Sequence, residues 1–256
     1  RLLASDRERR IAVILLGLTI PCSAQLGVIA GMLAAAGSWY VALYATVICT
    51  VLVITGTILN TLLPGKPTGL LIDLPPLRLP IPGNILKKTG IKSYNFLKEA
   101  FPLFALGALI ISVFQITGIL EYLQELLAPL TVVWLKLPKE AATAFIMGIV
   151  RRDFGAAGLN SMALTPIQTI VALTTITLFV PCIASILIIF KERSRKEAAI
   201  IWSSNWAIAF LIGGLVSQLY NTFGNSSGRM GAIMVMLIFI GMTMATVAAT
   251  RLIKHD

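Results

Sequence analysis

The sequence predicts an all-α, polytopic membrane protein in which two of the helices are broken and belong to inverted repeats. Three observations predict it. Hydrophobic residues make up 57% of the 256 residues and charged ones only 12%, against about 25% charged in ordinary soluble chains, and mean hydropathy is +0.89. The apolar residues fall into runs near or above the roughly 20 needed to cross a bilayer. Two of those runs carry the same interruption, Pro21-Cys22 and Pro181-Cys182. A water-soluble domain is excluded, because so apolar a surface needs lipid as its solvent.

The charge pattern orients the spans. Net charge is +10, and the basic residues cluster beside apolar runs: Arg7, Arg9 and Arg10; Lys87, Lys88 and Lys92; Lys191, Arg193, Arg195 and Lys196. Such clusters mark cytoplasmic flanks. They are not interleaved with aromatic residues and no nucleic-acid-binding module accompanies them, so no nucleic-acid partner is expected. Cys22, Cys49 and Cys182 all lie in apolar stretches and are expected as thiols, not as a disulfide framework. The chain begins at Arg1 without Met or a signal peptide, which reads as a cut through a longer chain or a processed end.

Taken in order, residues 11–36 form a span interrupted at Pro21 and followed by Cys22, Ser23 and Gln25. Residues 39–63 form a cleaner span with Trp39 and Tyr40 at one interface. Six prolines between Pro64 and Pro82, together with Lys66, Arg78, Lys87, Lys88 and Lys92, make 64–95 a basic linker on the cytoplasmic membrane surface. Residues 96–119 span, with Lys98 and Glu99 marking the boundary. Residues 120–137, with Glu121, Glu125 and Pro129, suit a helix lying in the outer interface. Residues 141–164 are apolar except for Arg151, Arg152 and Asp153, and rich in glycine beyond them. That combination predicts a re-entrant hairpin or an element facing protein. A span broken at Pro181 covers 166–190, and spans at 198–220 and 230–252 complete the set. The organisation expected is therefore 1–63, 64–95 and 96–256.

With the basic clusters inside, the first broken span runs outward and the second inward. Around the breaks the sequence repeats: Thr19-Ile20-Pro21-Cys22-Ser23-Ala24 against Phe179-Val180-Pro181-Cys182-Ile183-Ala184. Opposed copies of a unit with a helix broken near mid-membrane are the layout from which secondary transporters build a central site.

The break has a specific chemistry. Proline removes an amide donor and displaces the carbonyl one turn back, leaving oxygens that can face a cation. Cys22 and Cys182 add thiols, and Ser23, Gln25 and Ser185 add neutral oxygens. Brought together, two thiolates would neutralise one divalent cation, since a bound metal deprotonates a coordinating thiol. Thiolates disfavour Mg and Ca and favour Fe(II), Co(II) and Zn(II), but do not choose among the last three. The alternative is structural: prolines kink membrane helices and cysteines fill small apolar gaps.

At these residues the sequence resembles the membrane part of the bacterial ferrous-iron transport protein B family. The resemblance rests on Arg7-Glu8-Arg9-Arg10 leading to Pro21-Cys22-Ser23-Ala24, on Leu74-Pro75-Pro76-Leu77-Arg78-Leu79-Pro80, on Arg151-Arg152-Asp153-Phe154-Gly155-Ala156-Ala157-Gly158, and on Val180-Pro181-Cys182-Ile183-Ala184. It implies two opposed gate segments whose cysteines, Cys22 and Cys182, handle ferrous iron. Pro21, Ser23, Ala24, Gln25, Pro181, Ala184, Ser185 and Asp153 are then expected along the path. Residues 1–63 would hold the second half of gate one and the following span, and 96–256 would hold gate two. Gln25 and Gly27 stand where the family commonly has Arg and Pro. The family's amino-terminal GTP-binding domain has no counterpart here, since Gly65-Lys66 is followed by Pro67 and no phosphate loop occurs.

These readings predict an inner-membrane Fe2+ permease, not an enzyme, that is a fragment or membrane subunit of a GTPase-linked transporter. Its expected partners are the bilayer, a GTP-binding domain or subunit in cis or trans, a small cytoplasmic accessory protein and further copies of itself. GTP is expected to act only through the absent domain. Two rivals stay open: a permease for a nucleoside-like organic solute, lined by Trp202, Asn205 and Trp206, and a non-transporting membrane anchor for a separate GTPase. Cys49 and the methionines are expected to be packing residues. Arg151, Arg152 and Asp153 have two readings, a gate or an internal salt bridge reaching the interface.

Overall fold

A computed structural model describes residues 6–63, 82–150, 152–179, 190, 195–223 and 228–253. Among these there are helices and no strands: α1 Asp6–Thr19, α2 Ser23–Ala36, α3 Ser38–Leu62, α4 Pro82–Ile116, α5 Ile119–Ala128, a π-helical turn Pro129–Trp134, α6 Ala141–Val150, α7 Arg152–Asn160, α8 Pro166–Leu178, α9 Arg195–Phe223 and α10 Gly228–Ile253. The chain folds as two units, one of Pro67–Tyr122 and one of Arg1–Lys66 with Leu123–Asp256.

In the larger unit the expected break is present: α1 stops at Thr19 and α2 starts at Ser23. Pro21 brings no amide to continue the first helix, and Cys22, in extended conformation (φ −71°, ψ 162°), caps the second. The turn from α2 to α3 needs a single residue, Gly37, at φ 103°, a conformation that strains any side chain. Thr165 opens α8 with a reciprocal capping box to Gln168, and Pro166 takes the first helical position, where a missing amide costs nothing.

Contacts at the two ends of this unit fix the direction of its helices. At one end Arg10 on α1 meets Glu197 on α9 at 3.7 Å, and Arg7 donates to the carbonyls of Leu63 (2.8 Å) and Asn60 (2.7 Å) at the close of α3. At the other, the hydroxyls of Tyr40 on α3 and Tyr220 on α9 approach to 3.4 Å. Ser217 and Gln218 of α9 bond the carbonyls of Leu135 and Trp134 there, and Gln168 of α8 bonds that of Lys136. Helix α1 therefore runs toward its break from the Arg10 end, and α8 runs toward Phe179 from the Tyr220 end. The described arms of the two spans expected to be broken thus run in opposite directions.

The core packs around those two helix ends. Phe145, Phe179 and Phe210 meet edge to face at 5.5–6.0 Å between centroids, a geometry that aromatic rings favour. Leu18, Leu43, Ile170 and Ile176 are fully buried with them. Helices α6 and α7 form the helical hairpin expected near 141–164. Its two arms touch at glycines: a Cβ on Gly155 would lie 2.6 Å from the Ala144 carbonyl and 2.8 Å from Gly148 Cα.

Helices α3, α9 and α10 contain apolar stretches long enough to cross a membrane, at Ser38–Leu62, Arg195–Thr222 and Met230–Thr250, as expected. Their outward faces carry Val53, Ile58, Leu211, Leu215, Leu237 and Met244 in the open. So much exposed apolar surface is stable against lipid and not against water. Cys49 departs from expectation. It is exposed and lines a groove of about 410 Å3 between α3 and α10, with Thr46, Thr50, Thr243 and Met244 among its walls, instead of filling the core.

In the smaller unit α4 is 35 residues long and crosses residue 95, where a surface linker was expected to give way to a span. The physical reason lies in the prolines: Pro82 sits at the first helical position, where proline is tolerated, and the next is Pro102. Residues 83–101 are free to coil. The helix ends before Gly118, at φ 71°.

Candidate functional site

Pro21 has no N–H to give the carbonyl four residues back, which is that of Gly17. Arg152, first residue of α7, supplies the missing donor. Its Nη2 donates to the Gly17 carbonyl and its Nη1 to that of Ile20 at 3.3 Å, and the residue is only 5% exposed. A cation at a helix carboxyl end also meets the negative pole of its dipole. The oxygens released by the break, expected to be open to a permeating ion, are thus held by a guanidinium that the protein itself carries. Arg152 is buried, unlike an arginine that reaches out to the interface.

On the far side of the break Cys22 is a free, exposed thiol. Its Sγ accepts from the Gln25 amide at 3.4 Å, so the sulfur sits at the amino end of α2, beside the interruption. Ser23 is exposed and Pro21 half-buried.

Gln25 turns the other way and is fully buried. Its Nε2 donates to Thr177 Oγ1 at 3.4 Å, and the Tyr44 hydroxyl shares a 3.0 Å hydrogen bond with the same oxygen. Gln25 Oε1 and Thr174 Oγ1 are buried without a partner. Because Thr177 lies one residue before the end of α8, this cluster joins the start of the helix after the break at Pro21 to the end of α8.

Next to it stands an aromatic group. Phe179 packs on Trp206 at 4.5 Å, and Trp206 on Trp202 at 5.5 Å. Asn205 is 2% exposed, and its Nδ2, like Trp206 Nε1, has no acceptor.

Pro181, Cys182, Ala184 and Ser185 lie outside the described residues, as do Arg151 and the side chains of Ala24 and Asp153. Of the expected path residues the fold brings Pro21, Cys22, Ser23 and Gln25 to one break. Reading the sequence missed Tyr44, Thr174 and Thr177. The signal available was the run of threonines at 174, 175 and 177 in an otherwise apolar helix, since buried hydroxyls imply partners. Among the described residues no three His, Cys, Asp or Glu side chains converge as a metal site would require.

Residues 97–196 match the family model described as Gate, nucleoside recognition. Residues 40–92 match that of the ferrous iron transport protein B C terminus. The chain is similar to the Fe(2+) transporter FeoB of Methanocaldococcus jannaschii, with 22% identity over 84% of this chain and 38% of that protein. It thus spans well under half the length of that relative. No solved structure matches the chain.

Proposed function

We propose that this chain, a relative of the membrane region of the ferrous-iron transport protein B family, carries Fe2+ across the cytoplasmic membrane as part of a larger GTP-regulated transporter. The observation that carries the reading is the free thiol of Cys22 at the first break, in a chain whose 40–92 segment matches the ferrous iron transport model. A soft sulfur ligand at the interruption of a helix suits a first-row divalent ion better than Mg2+ or Ca2+. Cys182, after the second Pro-Cys pair, is the proposed second sulfur. Gln25, with Tyr44 and Thr177, supplies neutral oxygens at the junction of the two repeats. Ser23, Ala24, Pro21, Pro181, Ala184, Ser185 and Asp153 are proposed as the remainder of the path.

Mechanistically, the two breaks are hinges. Helices α1 and α8 enter from opposite ends, so rocking one repeat against the other would expose the sulfur ligands to each side in turn. A GTP-binding domain or subunit, in cis or trans, would govern that motion, with a small cytoplasmic accessory protein and further copies of the chain as further proposed partners.

Ferrous-iron uptake in cells carrying Cys22→Ser or Cys182→Ser tests the proposal. Uptake should fall at least tenfold at unchanged protein level, and uptake equal to wild type would remove the thiol mechanism.

The match to a gate model described by nucleoside recognition, together with the unused donors of Asn205 and Trp206 beside a cluster of tilted and edge-to-face rings, favours a second reading. In it the cargo is a planar organic solute bearing acceptor groups. Chelator-insensitive binding of a radiolabelled nucleoside, lost in Trp206→Ala, would support it over iron.

A further inference from the structure

The first break is closed by more than a cap requires. A neutral donor from any side chain would satisfy the Gly17 carbonyl at modest net gain, whereas burying a guanidinium carries a desolvation penalty that its contacts must offset. The fold nevertheless brings Arg152 there, on a hairpin whose arms are locked backbone to backbone at Gly155 and Gly148. Two features follow from this position. The guanidinium occupies the carbonyls of Gly17 and Ile20, the oxygens a dehydrated cation would otherwise use. It also places a fixed positive charge two residues from Cys22.

We propose that Arg152 is a tethered cation that plugs the first break and sets ion selectivity. Monovalent ions, too weakly attracted to displace it, are turned away. A divalent ion held by the Cys22 sulfur competes with Arg152 for the two carbonyls and releases the α6–α7 hairpin as a unit. A guanidinium suits this role because it presents a rigid fork that spans two acceptors and keeps its charge at every pH of interest. An ammonium, a single point of charge, would hold one oxygen at a time. The inference rests on the cation-transport reading above, and Arg152 is assigned as a specificity-determining residue, distinct from the metal ligands.

The test uses the purified chain in sealed vesicles, with K+ leak and Fe2+ entry under reducing conditions measured on the same preparations. Arg152→Gln should raise K+ leak at least tenfold over wild type, and Arg152→Lys should leak to an intermediate degree. If Arg152 merely caps α1, Arg152→Gln lowers thermal stability and stays tight to K+; a folded, tight variant overturns the proposal. Should Arg152→Gln fail to fold, wild-type protein decides. Its labelling by phenylglyoxal at Arg152, read by mass spectrometry, should rise several-fold on adding Fe2+, and unchanged labelling overturns the proposal. Leak in Arg152→Gln without any Fe2+ entry in wild type would sink the iron reading and leave the plug standing.

Discussion

Gln25 and Thr177, separated by 152 residues of sequence, are joined by a buried 3.4 Å hydrogen bond, and that bond ties the helix leaving the break at Pro21 to the last turn of α8. Tyr44 reaches the same threonine oxygen from α3. A single hydroxyl therefore joins α2, α3 and α8.

The first prediction follows from this sharing. Tyr44→Phe removes one hydroxyl and leaves Thr177 with Gln25, so it should cost about 1 kcal/mol. Thr177→Val strips the partner from both Tyr44 and the Gln25 side-chain amide, leaving two buried polar groups unmet, and should cost about 2–4 kcal/mol by the same asymmetry. Thermal unfolding in detergent measures both. Equal losses in the two variants would mean that Thr177 is not the shared acceptor.

A second prediction concerns the hairpin. The Ala144 carbonyl and Gly148 Cα stand where the methyl of Gly155→Ala would go, and both are backbone, unable to step aside as a flexible side chain would. Overpacking of this kind costs about 1–3 kcal/mol. Gly27→Ala meets nothing within 4 Å and sits inside α2, so helix propensity should make it neutral or stabilising by up to about 1 kcal/mol. Melting temperatures of the two variants should move in opposite directions or, at the least, differ clearly. A Gly155→Ala protein as stable as wild type would contradict the close backbone contact.

What the sequence made legible was the part governed by local rules. Apolar length gave α3, α9 and α10, Pro21 gave the end of α1, and the basic flanks of α1 and α9 put those helices' first residues at one end, where Arg10 now meets Glu197. The charges and glycines of 141–164 pointed to a re-entrant hairpin or an element facing protein, and α6 and α7 pack on each other there. The use made of Arg152 was not legible, because it depends on the tertiary approach of α7 to α1. Tyr44 and Thr177 were hidden for the same reason: a lone tyrosine and a threonine in apolar helices announce no partner until the helices pack. The start of α4 departs from the expected linker because every proline of 64–95 lies at or before residue 82 and none interrupts the helix between there and 95.

A third prediction separates two arginines of α1 that look alike in sequence. Arg7 holds the backbone carbonyls of Asn60 and Leu63 and the Asn60 side chain at 2.7–2.8 Å. It thereby caps α3 as well as pinning α1 to it. Arg10 makes one ion pair at 3.7 Å with both partners more than 40% exposed, where screening leaves little energy. Arg7→Ala should destabilise by about 1–2 kcal/mol and Arg10→Ala by less than about 0.5 kcal/mol. Chemical denaturation of both variants measures this, and an Arg10 effect matching that of Arg7 would show that the end of α1 is held by charge and not by the cap.

The last prediction distinguishes a wet path from a lipid face by thiol chemistry. Cys22 and Cys49 are both exposed, but at different kinds of surface. Cys22 begins α2 beside an interrupted helix, next to polar groups. Cys49 lies in an apolar groove between two long apolar helices, with Val53, Ile240 and Met244 around it. A water-soluble maleimide reaches only thiols that face water. In proteoliposomes, a water-soluble maleimide should therefore modify Cys22 at least tenfold faster than Cys49, as read site by site by mass spectrometry. A membrane-permeant apolar reagent should narrow that gap. If Cys22 lines the path of the transported ion, Fe2+ added under reducing conditions should slow its modification and leave Cys49 unaffected. Equal rates at the two cysteines in the water-soluble reagent would place Cys22 on a lipid-facing surface and leave the first break dry.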